Sequence, residues 1–205
     1  MAIKVANNQS LTAITALPAA VSGGAMTLLE TQTASSSATI SFTSNIDSTY
    51  KEYLFKFINI HQATDDKYLG VQFDTGTNTN YNQTITSTTF RAYHDEGDSE
   101  TAFEYRTGND QAQGTAFQNL MVSSGSHNDN DSGTCGYLHL FDPSSTTFVK
   151  HFIAKMNFQT NSSAPYSMDT FVAGYVNTTT ALTRVQFKFN SGNIDAGTFK
   201  LYGVS

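Results

Sequence analysis

Apolar residues recur at every second position through most of this chain, and a period of two predicts β-strands. Ala38, Ile40 and Phe42 alternate with Thr39, Ser41 and Thr43, and Leu69, Val71 and Phe73 alternate with Gly70 and Gln72. In residues 50–60, Tyr53, Phe55 and Phe57 share one face while Leu54, Ile58 and Ile60 share the other. Both faces of that strand are therefore expected to be at least partly covered. Phe148, Phe152, Ala154, Met156 and Phe158 line one side of another long strand, with Val149, His151, Ile153 and Lys155 opposite. Residues 134–141, 168–176 and 182–190 carry strand patterns as well. The chain ends on a strand, a Gly192-Asn193 turn and a second strand. Val185, Phe187 and Phe189 alternate with Arg184, Gln186 and Lys188, and Phe199 and Leu201 flank Lys200. These residues are expected to close the core, with Gly192-Asn193 and Gly197 setting the turn.

Polar segments separate the strands: 74–82, 94–100, 108–114, 123–133 and 161–167. Their Gly, Asn, Asp and Ser residues favour turns and long loops. No segment sustains a period of 3.6, and without helical crossovers a parallel α/β sheet cannot form. The pattern predicts an all-β fold, an antiparallel β-sandwich of jelly-roll-like type. Residues 1–24 differ from the rest. Leu11, Ile14 and Leu17 are spaced for one face of a short helix, but Thr12, Thr15, Pro18 and Gly23-Gly24 disfavour it. The division is an extended N-terminal arm, 1–24, followed by a β-sandwich domain, 25–205. The arm is expected to be held by a partner or neighbouring subunit, with Ile3, Val5, Leu11, Ile14 and Leu17 as the interface residues.

Composition narrows the function classes. Of the 205 residues only 14% are charged, and Thr, Ser, Asn and Gly fill the deficit. A surface of neutral hydroxyls and amides depends little on salt screening. The net charge of −6, without a Lys/Arg cluster, argues against a nucleic-acid partner, because a phosphate backbone needs a basic stripe. No run approaches the length of a membrane span, so no membrane partner is expected, and the N-terminus reads as a poor secretory signal. Cys135 is the single cysteine and forms no intrachain disulfide. Its strand pattern suggests a buried, inert thiol.

Phe187, Phe189, Gly192, Asn193, Ile194, Gly197, Leu201, Tyr202 and Gly203 follow the pattern F-x-F-x-S-G-N-I-x-x-G-T-x-x-L-Y-G. This ending resembles one that recurs in virion proteins of tailed bacteriophages from aquatic bacteria. The resemblance is specific over residues 187–203 and compositional elsewhere. It implies a phage structural protein, assembled in the host cytoplasm and located in the virion. A capsid decoration or cement protein is the form expected, a homotrimer bound to the major capsid protein or other virion proteins. A tail-fibre or receptor-binding protein recognising host-surface glycan is the alternative.

Local motifs add no chemistry. His94-Asp95-Glu96-Gly97-Asp98-Ser99-Glu100 concentrates carboxylates but reads as a solvated loop, and the chain has no Trp to build a sugar platform. Residues 126–133 look superficially like a calcium loop, yet Gly133 stands where the third ligand belongs and no Glu follows. An exposed polar loop is the reading, with a structural calcium held by Asp129 and Asp131 as the lesser one. His61, His94, His127, His139 and His151 form no H-x-H or H-x-x-x-H pair, so no metal or other cofactor is expected. No G-x-S-x-G, G-x-x-x-x-G-K-[ST] or G-x-G-x-x-G occurs, and the chain is expected not to be an enzyme. Most of the fifteen phenylalanines fall on inward faces of strands. Tyr81, Tyr93, Tyr105 and Tyr166, in or beside loops, are the aromatic candidates for contact with a partner or glycan.

Overall fold

The computed structural model describes residues 25–122, 125–160 and 162–205. Among them are twelve strands and no helix: β1 (Met26–Ser37), β2 (Ile40–Phe42), β3 (Glu52–Gln62), β4 (Leu69–Thr75), β5 (Ile85–Asp95), β6 (Thr101–Tyr105), β7 (Gln118–Asn119), β8 (Thr134–Phe141), β9 (Lys150–Gln159), β10 (Tyr166–Val176), β11 (Leu182–Phe189) and β12 (Ile194–Val204). One sheet of eight strands runs β1-β12-β3-β8-β9-β10-β5-β6, and one of four runs β2-β11-β4-β7. Every pairing is antiparallel.

This order is a jelly roll with two insertions. Without β5-β6 and β9-β10, the sheets become β1-β12-β3-β8 and β2-β11-β4-β7. That arrangement wraps one long antiparallel ribbon about itself, first strand beside last, second beside second to last. The two extra hairpins enter between β4 and β7 and between β8 and β11, and both extend the large sheet beyond β8. Residues 106–119 cover the inner side of the extension. Gln111 bonds Ser87 through its backbone, and the Ser87 hydroxyl donates to the Gln118 amide oxygen at 2.5 Å.

The core lies between the sheets and is aromatic at its centre. Phe187 of β11 meets Phe57 at 5.0 Å and Phe55 at 5.4 Å between ring centroids, both from β3 in the opposite sheet. It also touches Phe42 and Phe199 at 6.3 and 5.7 Å. These rings combine large buried area with favourable edge-to-face contacts. Lys150 occupies the first inward position of β9 and is fully buried. Its ammonium donates to the Thr178 carbonyl at 2.9 Å, and burial pushes its pKa down.

Four local expectations require correction. The final two strands do not form a hairpin, since β11 belongs to the small sheet and β12 to the large one. Their connection through Gly192, at φ 76°, carries the chain from one layer to the other. Gly197 lies inside β12 rather than in the turn, opposite Ala34 of β1. Ile60 does not share a face with Leu54: a bulge at Asn59, φ 50°, shifts the register after Phe57 and turns Ile60 into the core. Phe148 is not an inward strand residue. The Ser145 hydroxyl accepts the backbone N–H groups of Thr147 and Phe148, holding a turn that delays β9 to Lys150 and leaves Phe148 exposed.

Candidate functional site

The outward face of the eight-stranded sheet carries several exposed aromatic and apolar side chains. Strand alternation that buries Leu138, Ala154 and Val172 sends their neighbours outward. In register, Tyr137 of β8 stands opposite Lys155 of β9, then Phe171 of β10, Phe90 of β5 and Tyr105 of β6. Phe90 stacks on Phe171 at 4.9 Å and packs against Phe103 at 5.2 Å. Lys155 is neutralised within this row, with its ammonium 3.0 Å from Asp169 and 5.0 Å from the Phe171 ring centre. Phe103 remains 72% exposed and Ile153 51% exposed. A largely apolar depression of about 450 Å³ is lined by Ile153, Ala173, Tyr175, His151 and Thr88 among others.

A polar region occupies one end of the sandwich, on either side of residues 129–133. Asn59, His61, Asp131, Ser132 and Asp195 line a depression of about 520 Å³. Another of about 350 Å³ shares Asp131 and Gly133 and adds His94, Glu96, Asn157 and Gln159. His61, Ser132 and Asp195 suggest a nucleophile, a base and an orienting acid, but their contacts differ. His61 Nε2 meets the Asp129 carbonyl at 3.0 Å, and the buried Ser132 hydroxyl has no hydrogen-bond partner. The imidazole and hydroxyl are therefore not joined as a general base and nucleophile require. His127 lies 3.6 Å from Asp129 and 3.9 Å from Asp65, so the calcium-like segment is tied to its surroundings through histidines. Among the described residues, no group of three or more His, Cys, Asp or Glu side chains is arranged to hold a metal ion.

The acidic turn has a structural component. Asp95, almost fully buried, accepts the Ser99 hydroxyl at 2.6 Å and the backbone N–H groups of Ser99 and Glu100 at 2.8 and 2.7 Å. The Ser99 hydroxyl first, with the backbone donors, lowers its pKa from 3.8 to about 2. Because these bonds favour the carboxylate in the folded state, their contribution is complete above pH 3.8 and is lost as pH falls through 2. Asp95→Asn should therefore be less stable than the parent at pH 5, and thermal melts should find the gap narrowing between pH 4 and pH 2. A gap independent of pH would show that the carboxylate's charge does not hold the turn.

The remaining candidates are divided between surfaces. Tyr93 and Tyr166 pack edge to face at 5.2 Å and donate to the two oxygens of Glu100, at 3.0 and 2.8 Å. Tyr105 is exposed beside the aromatic row and donates to Asp110 at 2.5 Å. Tyr81 is buried, with its N–H bonded to Asp74, and offers nothing to a partner. Cys135 is exposed, contrary to the expected burial, because it falls on the outward alternation of β8. His139 faces outward and bonds Glu52, while His151 is exposed beside the apolar depression. Ile3, Val5, Leu11, Ile14 and Leu17 lie outside the described residues.

Sequence alternation did not identify the outward aromatic row, because Phe90, Phe103 and Tyr105 sit in Thr- and charge-rich strands without an apolar partner face. A signal was present at Phe171, where Met168, Thr170 and Val172 mark the inward positions and leave Phe171 outside. No protein-family model matches the chain, and no curated protein matches it.

Proposed function

We propose that this chain is a non-enzymatic structural protein of a tailed-bacteriophage virion, a homotrimeric decoration or cement protein on the capsid. The ending across residues 187–203 carries the reading, through its resemblance to phage virion proteins. Support comes from the jelly-roll order, an architecture that viral capsid domains use, and from the apolar outward face suited to protein contacts. The arm, 1–24, precedes β1 at an edge of the large sheet and supplies the attachment to major capsid protein. Contacts available only on the assembled lattice stabilise it by mass action, since binding favours the assembled state over free subunits.

Removal of residues 1–20 should leave a folded β domain that no longer joins particles. Circular dichroism would report the fold and sedimentation of purified particles the incorporation. Particles that retain the truncated chain at parental occupancy would reject the arm as the anchor. The location of density for this chain in intact particles, on the capsid or elsewhere, tests the decoration role directly.

The polar end of the sandwich favours a second reading, a receptor-binding protein of the tail. Asn59, Asn130, Asp131 and Asp195 converge there around one depression, as hydrogen-bonding recognition of a glycan requires. Binding of the isolated protein to host cells, reduced by Asp131→Ala, would support this reading over decoration.

A further inference from the structure

We infer that β6 is a contact strand for a second copy of this chain, and that two β6 edges pair antiparallel across a two-fold axis at Phe103. The other sheet edges are flanked or short. The β1 edge has β2 of the small sheet beside it, and Gln32 donates to the Ser41 carbonyl at 2.8 Å. β2 has three residues and β7 two, whereas β6 has five and pairs with β5 without a bulge. Backbone directions on β6 follow from its ladder. The Arg106 N–H donates to the Thr89 carbonyl and the Asp95 N–H to the Glu100 carbonyl, so the even-numbered residues bond β5. Thr101, Phe103 and Tyr105 direct their N–H and C=O groups to the open side, and no hydrogen bond meets those groups among the described residues. The strand carries neither Pro nor Lys, the usual means of blunting such an edge.

Its own sequence is a suitable partner. With Phe103 opposite its copy, Thr101 opposite Tyr105 and Ala102 opposite Glu104, all three open residues on each strand exchange N–H and C=O. A register that sets Phe103 opposite Tyr105 brings the two Glu104 carboxylates face to face, which like-charge repulsion disfavours. One that sets Phe103 opposite Thr101 leaves Tyr105 without a partner. Glu104 is the only charge on β6, and its carboxylate is held by Arg91 at 2.9 Å and Arg106 at 3.2 Å. In the central register it meets the methyl group of Ala102 rather than another charge.

The outer face supplies the apolar contribution. Phe171, Phe90 and Phe103 form a run of rings, at 4.9 and 5.2 Å between centroids, that ends at this edge with Phe103 72% exposed. In the paired sheet both Phe103 side chains stand on one face, with their Cα atoms about 5.5 Å apart. Opposed aromatic side chains stabilise antiparallel strands, and the run continues into the second copy. The contact is independent of the virion reading. An isologous contact closes on two chains and cannot build a cyclic trimer, so on a particle it would join trimers to one another. With five residues a side it is small, and pairing of the free chain should depend on concentration.

The full-length chain in a Cys135→Ser background provides the test. Phe103→Cys should form a disulfide-linked dimer in a glutathione redox buffer, because the paired Cα separation lies within the disulfide range. Tyr105→Cys alone should link several-fold less, since its copy lies four residues along the strand, roughly 13 Å away. Mixing Thr101→Cys chains with Tyr105→Cys chains should restore linkage between the two kinds. Non-reducing electrophoresis reads all three at one protein concentration. A Phe103→Cys chain that stays reduced, equal linkage of Tyr105→Cys alone, or no gain in the mixture would each overturn the inference. Sedimentation equilibrium measures the contact without cysteines. Phe103→Lys sets two ammonium groups opposite each other and should weaken association by about tenfold or more, with the β-rich circular dichroism retained. Unchanged association, or a parent chain whose mass does not rise with concentration, would also overturn it. These measurements use free protein, so they can fail while particle incorporation still supports the virion reading, and the converse holds.

Discussion

Phe187→Ala is expected to destabilise the protein by about 3 to 5 kcal/mol, the usual range for deletion of a buried aromatic ring. Phe187 is fully buried and projects from the small sheet into a nest made by Phe42, Phe55, Phe57 and Phe199. Of these, Phe55, Phe57 and Phe199 belong to the large sheet, so the ring joins the two layers. Its neighbours are themselves packed on either side and cannot collapse into the space, so the cavity cost adds to the lost transfer energy. For a domain of this size the loss corresponds to a fall in Tm of roughly 6 to 20 °C. Phe103→Ala is the internal comparison: an exposed ring on the outward face should cost within about 0.5 kcal/mol. Chemical denaturation of both variants provides the measurement. Equal effects, or a near-neutral result for Phe187, would mean that the sheets are not packed through this residue.

Strands with one apolar face were readable in the sequence because burial acts on alternate positions. β4, β9 and β11 each carry that signature, β3 carries the same period with apolar residues on both faces, and the inward phenylalanines of all four are buried in the core. β1 gave no such signal, since most of its twelve residues are exposed or half-buried and it is held chiefly by its ladder with β12. An edge strand satisfies its backbone through one neighbour and needs little apolar side-chain patterning. β5 and β6 escaped for a related reason. Their inward positions include Ser87 and Thr89, which are buried against the polar segment 106–119 rather than against another sheet.

Sheet membership was also beyond local pattern. A strand, a Gly-Asn turn and a strand suggest a hairpin, and nothing in the local spacing distinguishes that from a passage between layers. The jelly roll decides it, because its last two long strands pair with β1 and β2 on separate sheets. The candidate site was less legible still. Asp131 and Asp195 come together only through the fold, and the outward aromatic row is assembled from five strands.

Gly197→Ala should produce the other large effect, about 2 to 6 kcal/mol of destabilisation. Two causes add. Gly197 has φ 122°, where a residue with a Cβ is strained by roughly 1 to 3 kcal/mol. A Cβ there would also lie 2.7 Å from both the Asn59 carbonyl oxygen and the Ile60 Cα, and overpacking against backbone costs roughly another 1 to 3 kcal/mol. The contact is with the bulge that turns Ile60 inward, so the two irregularities fit into each other. Asn59 pushes β3 toward β12 at the point where β12 has no side chain. Gly76→Ala separates the causes, because Gly76 has φ 57° and open space around its Cβ position, leaving strain alone. Denaturation midpoints should place Gly197→Ala well below Gly76→Ala. Equal losses would show that the close approach of β12 to the β3 bulge contributes nothing. Gly197 would then be explained by backbone conformation alone, without any demand from the neighbouring strand.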